Sequence, residues 1–129
     1  MLDTNIISDL VKNPSGAVYQ KVKAVGPDAI CTSAIVVSEI RYGLAKKSSA
    51  ELRKRIEDVL NEFPVMPYAV PADFDYGSIR AGLEAAGQLI GSVDIFIAAH
   101  AKALSMTLVT DNVREFGRVP GLTVENWLR

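Results

Sequence analysis

Short apolar runs of strand length alternate along the chain with longer segments whose apolar residues recur at helical spacing. Strands are predicted at residues 1–3, 29–32, 65–66, 107–110 and 122–124. Because helical segments separate these runs, the pattern is typical of βαβ units. It predicts an α/β fold with a mostly parallel sheet.

The predicted helices cover residues 4–11, 17–25, 34–47, 50–63, 71–86 and 93–104. Ser33 and Ser92 are predicted N-caps, Gly87 is predicted to close the fifth helix, and Ser48-Ser49 to break the third. The sixth helix is almost wholly apolar, which predicts a central position. Residues 111–116 are expected to form a loop or a turn of helix.

Composition limits the class of protein. The chain has 129 residues, of which 49% are hydrophobic, so a single domain over residues 1–129 with a real core is expected. No apolar run approaches the roughly 20 residues of a membrane span, and no secretory signal is recognisable. With one cysteine, Cys31, inside an apolar run, a cytoplasmic protein with a buried thiol is expected.

The charge balance alone argues weakly against nucleic-acid binding, since the net charge is -1 and the pI about 5.8. The basic residues are nevertheless clustered within fifteen positions: Arg41, Lys46, Lys47, Arg53, Lys54 and Arg55. A solvated helix face is the simpler interpretation, and a phosphate-binding edge is the alternative.

Four acids lie at the ends or on the apolar faces of segments predicted to be buried: Asp3, Glu39, Asp94 and Asp111. Burying an ionised carboxylate in such a place costs free energy on the order of several kcal/mol, unless a cation lies beside it. No lysine or arginine lies in the same local stretch as Asp3 or Asp94. One shared divalent metal would neutralise all four.

Each acid also has a structural explanation. Asp3 precedes a helix and could be its N-cap, and Asp111 could form an Asx-turn after a strand. Asp94 lies in a predicted first helical turn, where the helix dipole favours negative charge. Glu39 is harder to explain, because it lies within an apolar helical stripe. A salt bridge to Arg80 or Arg114 is its simplest structural role.

Taken together, the four acids predict an oxygen-rich cage suited to Mg²⁺ or Mn²⁺. Polar residues flank them and could hold them in orientation: Thr4, Asn5, Ser38 and Thr110. A zinc site is disfavoured because Cys31 and His100 form no ligand motif, and His100 is interpreted as a packed helix residue. No nucleophile motif accompanies this one histidine, which argues against a catalytic triad.

Several motifs in order resemble one family. Residues 1–7 (MLDTNII), 38–43 (SEIRYG), 90–101 (IGSVDIFIAAHA), 108–116 (LVTDNVREF) and 124–127 (VENW) resemble those of PIN-domain ribonucleases, specifically VapC-type toxins. The resemblance implies a three-layer α/β/α domain, a Mg²⁺- or Mn²⁺-dependent endoribonuclease and a homodimer. It implies RNA substrates, with tRNA as a candidate. It also implies a VapB-like antitoxin whose C-terminal segment blocks the acidic groove, with contact to operator DNA made only through that antitoxin.

By motif position, the resemblance gives Asp3, Glu39 and Asp94 the first three acidic roles. The fourth acid of many PIN domains stands where this chain has Asn112, one residue after Asp111, so either residue could complete the site. The chain begins two residues before Asp3, and the first strand is therefore expected to be short.

The expected chemistry is metal-assisted hydrolysis of an RNA phosphodiester, with Arg41, Lys46 and Lys47 as RNA phosphate contacts. A metal-dependent phosphatase remains an alternative with the same acids. So does a receiver-like signalling module, although the single acid after the first strand and the lack of a lysine after Thr110 fit it poorly.

Overall fold

The computed structural model describes residues 1–47 and 49–129. The helices are α1 (Thr4–Lys12), α2 (Ala17–Val25), α3 (Ala34–Lys46), α4 (Ala50–Leu60), α5 (Ala72–Ala85), α6 (Ser92–Ala103) and α7 (Val113–Phe116), with a 3₁₀ turn at Pro27–Ala29. The strands are β1 (Thr32–Ser33), β2 (Val65–Met66), β3 (Leu108–Val109) and β4 (Val124–Glu125). Ser48, half of the predicted helix break, lies outside the described residues.

The sheet is parallel throughout, in the order β2, β1, Leu2, β3, β4. Strand β1 pairs with β2, and β3 pairs with β4. Leu2 joins the two halves through parallel bridges to Thr32 and Val109. The α/β/α fold with a mostly parallel central sheet is confirmed, and β4 lies at the edge as predicted.

The first strand, as expected, is short, yet it occupies the centre of the sheet. Leu2 is 1% exposed, and its N–H donates to the Cys31 carbonyl at 2.9 Å. On the other side, the Asp3 N–H donates to the Val109 carbonyl at 2.9 Å. These bonds fix the position of Asp3 relative to both neighbouring strands.

Several predicted boundaries were wrong. Residue 29 belongs to a 3₁₀ turn that begins at Pro27, so strand pairing starts only at Thr32. Helix α4 ends at Leu60, three residues before its predicted end. Ser92 is the first residue of α6, and Gly91, with an extended backbone, is the N-cap whose carbonyl accepts from the Ile95 N–H at 3.1 Å.

Other predicted features are present. The Ser33 side chain caps α3 by accepting from the Ile35 N–H at 3.0 Å. Gly87 follows α5 with φ of 65°, a left-handed conformation that glycine adopts without steric cost. Helix α6 is central, as predicted, and packs against α5; its buried residues are Ile95, Ile97, Ala98, Ala99, His100 and Ala101. Cys31 is buried as expected.

Across residues 1–47 and 49–129, none of the helices combines the length and the apolarity that crossing a bilayer requires.

The central position of Leu2 leads to a stability prediction. Leu2→Ala should lower the free energy of unfolding by roughly 2–5 kcal/mol, because it removes apolar atoms from a closed site between two strands. Leu89→Ala is the matched control: Leu89 is 47% exposed, so the same truncation there should change stability by at most about 1 kcal/mol. Urea unfolding followed by circular dichroism measures both, and equal small effects would contradict a central Leu2.

Candidate active site

The candidate site lies beyond the carboxyl ends of the central strands, where open parallel sheets place their ligands. Asp3 follows Leu2, Thr110 follows β3, and Ser33 ends β1. Helices α1 and α3 begin at this edge, so the side chains of their first turns face the same region as Asp3.

Asp3 is 5% exposed, and both of its carboxylate oxygens are hydrogen-bonded. Oδ1 accepts from the Thr4 N–H at 2.8 Å, which makes Asp3 the N-cap of α1. Oδ2 accepts from Thr110 Oγ1 at 2.7 Å and, more weakly, from Asn5 Nδ2 at 3.4 Å. The structural role that the sequence suggested is therefore real, and it holds the carboxylate in one orientation.

Thr110 organises this network. Its buried hydroxyl donates to Asp3, accepts from the Asn112 N–H at 3.0 Å and lies 3.4 Å from Asn5 Nδ2. Asn5 Oδ1 in turn accepts from the Asp111 N–H at 3.0 Å. Thr110 and Asn5 therefore tie the first strand to the loop after β3, in the orienting place that was predicted for them.

Glu39 is exposed, so the prediction that it lies inside a buried stripe was wrong. The buried residues of α3 are Val36, Ile40 and Leu44, and Glu39 lies beside that stripe, facing α1. Its Oε1 accepts from Thr4 Oγ1 at 3.2 Å, which brings Thr4 into contact with a second acid. The suggested arginine partner Arg80 donates instead to the Tyr76 hydroxyl at 2.8 Å.

Asp94 lies in the first turn of α6 and is partly buried. Burial, followed by the charges of Asp3, Glu39 and Glu115, raises the pKa of Asp94 from its ordinary 3.8 to about 6. Asp3, Glu39 and Glu115, which come from three other segments, are thus close enough to Asp94 for their charges to affect its pKa.

Glu115 is the acid that the sequence analysis missed. It lies on α7, one residue before the fully buried Phe116, and its charge contributes to the raised pKa of Asp94. Phe116 was the signal in the sequence that could have located Glu115. A buried aromatic side chain in a short helix fixes the orientation of that helix, and therefore the position of the residue next to it.

Asp111 is placed differently from the other acids. Its carboxylate accepts from Asn126 Nδ2 at 2.9 Å and lies 3.8 Å from Arg129 Nη2, toward the C-terminal end of the chain. Asp111 is not among the charges that raise the pKa of Asp94. Asn112 is the N-cap of α7, and its backbone N–H donates to Thr110 Oγ1.

Comparison with known proteins identifies the fold. The sequence profile described as PIN domain matches residues 1–122. Ribonuclease VapC2 of Rickettsia felis is 35% identical over 129 residues, with 98% of this chain and 96% of that protein covered. This chain belongs to the PIN-domain family. The tRNA(fMet)-specific endonuclease VapC of Shigella flexneri is also 35% identical, over 128 residues, with 98% and 96% covered.

Among solved structures, VapBC2 from Rickettsia felis bound to a DNA fragment from their promoter contains a chain that superposes with a TM-score of 0.92. That chain is 34% identical, and the match covers 98% of this chain and 97% of the other. The likeness extends nearly end to end, so this PIN-domain chain is of the VapC ribonuclease type, an RNA-cleaving hydrolase.

The donor set of this PIN domain fits a divalent cation of the Mg²⁺ class, since Asp3, Asp94, Glu39 and Glu115 offer only carboxylate oxygens. Within the described part of the chain, no three acidic, histidine or cysteine groups are close enough to hold one ion by direct contact alone. Mg²⁺ usually keeps several waters and takes one or two carboxylates directly. An ion at this site would therefore take at most two of these carboxylates directly and complete its coordination with water.

The remaining predicted residues surround this centre or lie apart from it. Ser38 Oγ donates to the Ala34 carbonyl on its own helix at 2.8 Å, rather than to an acid. Arg41 forms an ion pair with Glu57, which partly neutralises it. Lys46 Nζ lies 4.6 Å from the centre of the Tyr42 ring.

A groove of about 320 Å³ runs from the acids between α1, α3 and α4. Glu39 and Thr4 line its end near the acids, apolar side chains form its floor, and three cations stand along it: Lys12, Lys46 and Lys47. Positive charge is therefore placed along the groove, beside a negatively charged centre.

The raised pKa of Asp94 predicts that this carboxylate destabilises the metal-free protein. Because its folded pKa exceeds its unfolded pKa, protonation favours folding, and that contribution is complete below pH 3.8 and lost as the pH rises through about 6. Asp94→Asn should therefore stabilise the metal-free protein at pH 7.5 by about 1–2 kcal/mol, after allowance for solvent screening of a half-buried group.

Thermal unfolding in EDTA at pH 4 and pH 7.5 measures this effect. The difference between Asp94→Asn and wild type should shrink toward zero at pH 4. A variant that is less stable than wild type at pH 7.5, or equally stable at both values, would contradict the repulsion among these acids. Asp73→Asn is the control, because Asp73 also lies in a first helical turn but not at this site.

Proposed function

We propose that this chain is a divalent-metal-dependent endoribonuclease that hydrolyses RNA phosphodiester bonds, with tRNA among its substrates, in the cytoplasm. The observation that carries the proposal is the place of Asp94: it is partly buried and close to the charges of Asp3, Glu39 and Glu115, a concentration of carboxylates that a divalent cation would neutralise. The tRNA(fMet)-specific relative from Shigella flexneri supports a tRNA substrate.

In this proposal Asp3 and Asp94 hold Mg²⁺ or Mn²⁺, and Glu39 and Glu115 complete the site through water. When bound, the ion supplies Lewis acidity, which neutralises phosphoryl charge and lowers the pKa of water toward about 7. The fourth acidic position is assigned to Glu115, because Asp111 is engaged by Asn126 and Arg129. Asn112 contributes through its backbone contact with Thr110.

The protein's own residues keep this arrangement in place. Thr110 and Asn5 fix the orientation of Asp3, so its oxygens need no reorganisation during the reaction. Thr4 connects Asp3 to Glu39 and thereby couples α1 to α3. Lys46 and Lys47 lie along the groove and would contact RNA phosphates, whereas the Arg41–Glu57 pair makes Arg41 the weaker candidate.

We also propose a VapB-like antitoxin partner whose C-terminal segment enters the groove between α1, α3 and α4. The Rickettsia felis structure of VapBC2 on promoter DNA supports both this partner and contact with operator DNA through it. The apolar floor and the lysines of the groove suit a peptide with apolar and acidic residues. A homodimer is proposed as well, supported by the exposed apolar side chains of Val70 and Phe74, which are 78% and 77% accessible.

Substitution of the acids tests the site. Asp3→Asn and Asp94→Asn should each reduce RNA cleavage by roughly 100-fold or more, because each removes charge from the reacting centre. Glu115→Gln should reduce it by about 10-fold or more, as loss of a water-mediated ligand would. Asp111→Asn is the matched control and should stay close to wild type. Initial rates on end-labelled tRNA measure all four.

The acid variants can also refute the assignment. Circular dichroism must show that each variant is folded. Full activity of folded Asp3→Asn or Asp94→Asn would remove the site as proposed. A large loss in Asp111→Asn together with wild-type activity in Glu115→Gln would return the fourth position to Asp111.

Removal of metal gives a separate test. Dialysis against EDTA should abolish cleavage, and Mg²⁺ or Mn²⁺ should restore it, with 5′-phosphate and 3′-hydroxyl product ends from direct attack of water. Cleavage that persists after chelation, or 2′,3′-cyclic phosphate ends, would contradict metal-assisted hydrolysis. Release of phosphate from a phosphomonoester without RNA cleavage would instead identify a phosphatase.

A further inference from the structure

A buried hydrogen bond connects the two helices that carry Glu39 and Asp94. Ser33 Oγ lies 2.7 Å from His100 Nδ1, and the two residues are 0% and 1% exposed. Ser33 is the N-cap of α3, and His100 lies in the second half of α6. Helices α3 and α6 are in contact, and this bond joins them at the start of α3.

The direction of the bond follows from its partners. Ser33 Oγ already accepts from the Ile35 N–H, so its own proton is available for His100 Nδ1. Nδ1 is then the acceptor, and the proton of a neutral imidazole lies on Nε2. Burial lowers the pKa of His100, opposed by the carbonyl of Pro67, so the neutral form prevails at pH 7.

Burying the imidazole of His100 in this place is less favourable for folding than burying an apolar side chain would be. Nε2 is buried, and among the described residues its neighbour is the Pro67 carbonyl, which raises the pKa of the ring but does not meet full hydrogen-bond geometry. A buried polar atom without a well-aligned partner is destabilising. The ring is held at its edge by Tyr68, whose centroid is 5.4 Å away. A polar group retained at such a cost needs a reason other than packing.

The position of the bond supplies that reason. Ser33 precedes Glu39 by six residues, and His100 follows Asp94 by six. At 1.5 Å per residue, each end of the bond lies about 9 Å along a rigid helix from an acid of the site. A shift of α6 relative to α3 at Ser33 would therefore be transmitted to the separation of Asp94 and Glu39.

We propose that Ser33 and His100 are positioning residues, whose hydrogen bond sets the spacing of Glu39 and Asp94 and thereby the affinity of the site for its cation. This inference rests on the proposed function, since it concerns the same site. It adds two residues that touch neither the ion nor RNA. Their effect is on geometry, where a misplacement of about 1 Å can cost about 100-fold in rate.

The test is a double-mutant cycle of Ser33→Ala and His100→Leu in the full chain. Each single variant should lower kcat for RNA cleavage by about 10- to 100-fold and weaken Mn²⁺ binding, measured by calorimetry with Mn²⁺ alone, by roughly 10-fold. KM for RNA should be unchanged, because no RNA contact is removed. The double variant should match the more impaired single variant, since both remove the same bond.

Two further variants separate positioning from general loss of stability. His100→Asn places an amide oxygen near the Nδ1 position and should restore Mn²⁺ affinity relative to His100→Leu. Ser49→Ala removes the N-cap of α4, whose Oγ accepts from the Leu52 N–H at 3.2 Å, away from the acids. It should lower the Tm and leave kcat and Mn²⁺ affinity unchanged.

Three outcomes would overturn the inference: wild-type Mn²⁺ affinity in folded Ser33→Ala and His100→Leu, losses that multiply in the double variant, or equal losses in Ser49→Ala. The proposed function fails separately, if wild type itself shows no metal-dependent RNA cleavage. The Mn²⁺ titrations still test the hydrogen bond in that case, because they require no RNA.

Discussion

The burial of one carboxylate beside others at one edge of the sheet is the constraint on which the rest of the site depends. Burial, followed by the charges of Asp3, Glu39 and Glu115, raises the pKa of Asp94 to about 6. Such a group of like charges is stable only if neighbouring donors hold it or a cation enters it. The hydrogen-bond donors around Asp3 stabilise its charge, and a cation at the proposed metal site would reduce the repulsion between the acids.

The scaffold meets this repulsion with buried hydrogen bonds that begin at strand ends. Thr110, directly after β3, donates to Asp3, and Ser33, at the end of β1, bonds to His100. Both hydroxyls are fully buried and both join segments distant in sequence. Each hydroxyl holds a segment that carries one of the acids: Thr110 bonds to Asp3 itself, and Ser33 caps the helix that carries Glu39.

Much of this architecture could be predicted from the sequence, because local signals and tertiary packing agree in it. Helix α2 and strand β2 have their predicted bounds, since Pro, Gly and strand-forming residues mark their ends. The positions of Asp3 before α1 and of Asp94 in the first turn of α6 could be predicted, because each follows a strong boundary signal. Ser92 was predicted to be the N-cap of α6 because serine is favoured at that position. Gly91 is the N-cap instead, because the last non-helical backbone conformation belongs to Gly91 and the helix begins at Ser92.

The errors in the site have one physical origin: sequence spacing says which face of a helix a residue occupies, but not what lies opposite. Glu39 is adjacent to the buried stripe of α3 and was placed inside it, although it faces the exposed side of α1. Asp111 was included among the acids because it immediately follows a strand, with Asn112 as the alternative, and Glu115 was not considered. The pairing of Asp111 with Asn126 and Arg129 depends on residues at the far end of the chain, which no local pattern reveals.

The pairing of Leu2 with Val109 has a consequence for folding. The two residues lie more than a hundred positions apart, so the central pairing of the sheet forms only when a long loop has closed. Asp3 cannot be oriented by Thr110 before then. The orientation of Asp3 therefore depends on closure of the whole sheet, and a chain with only local structure lacks it.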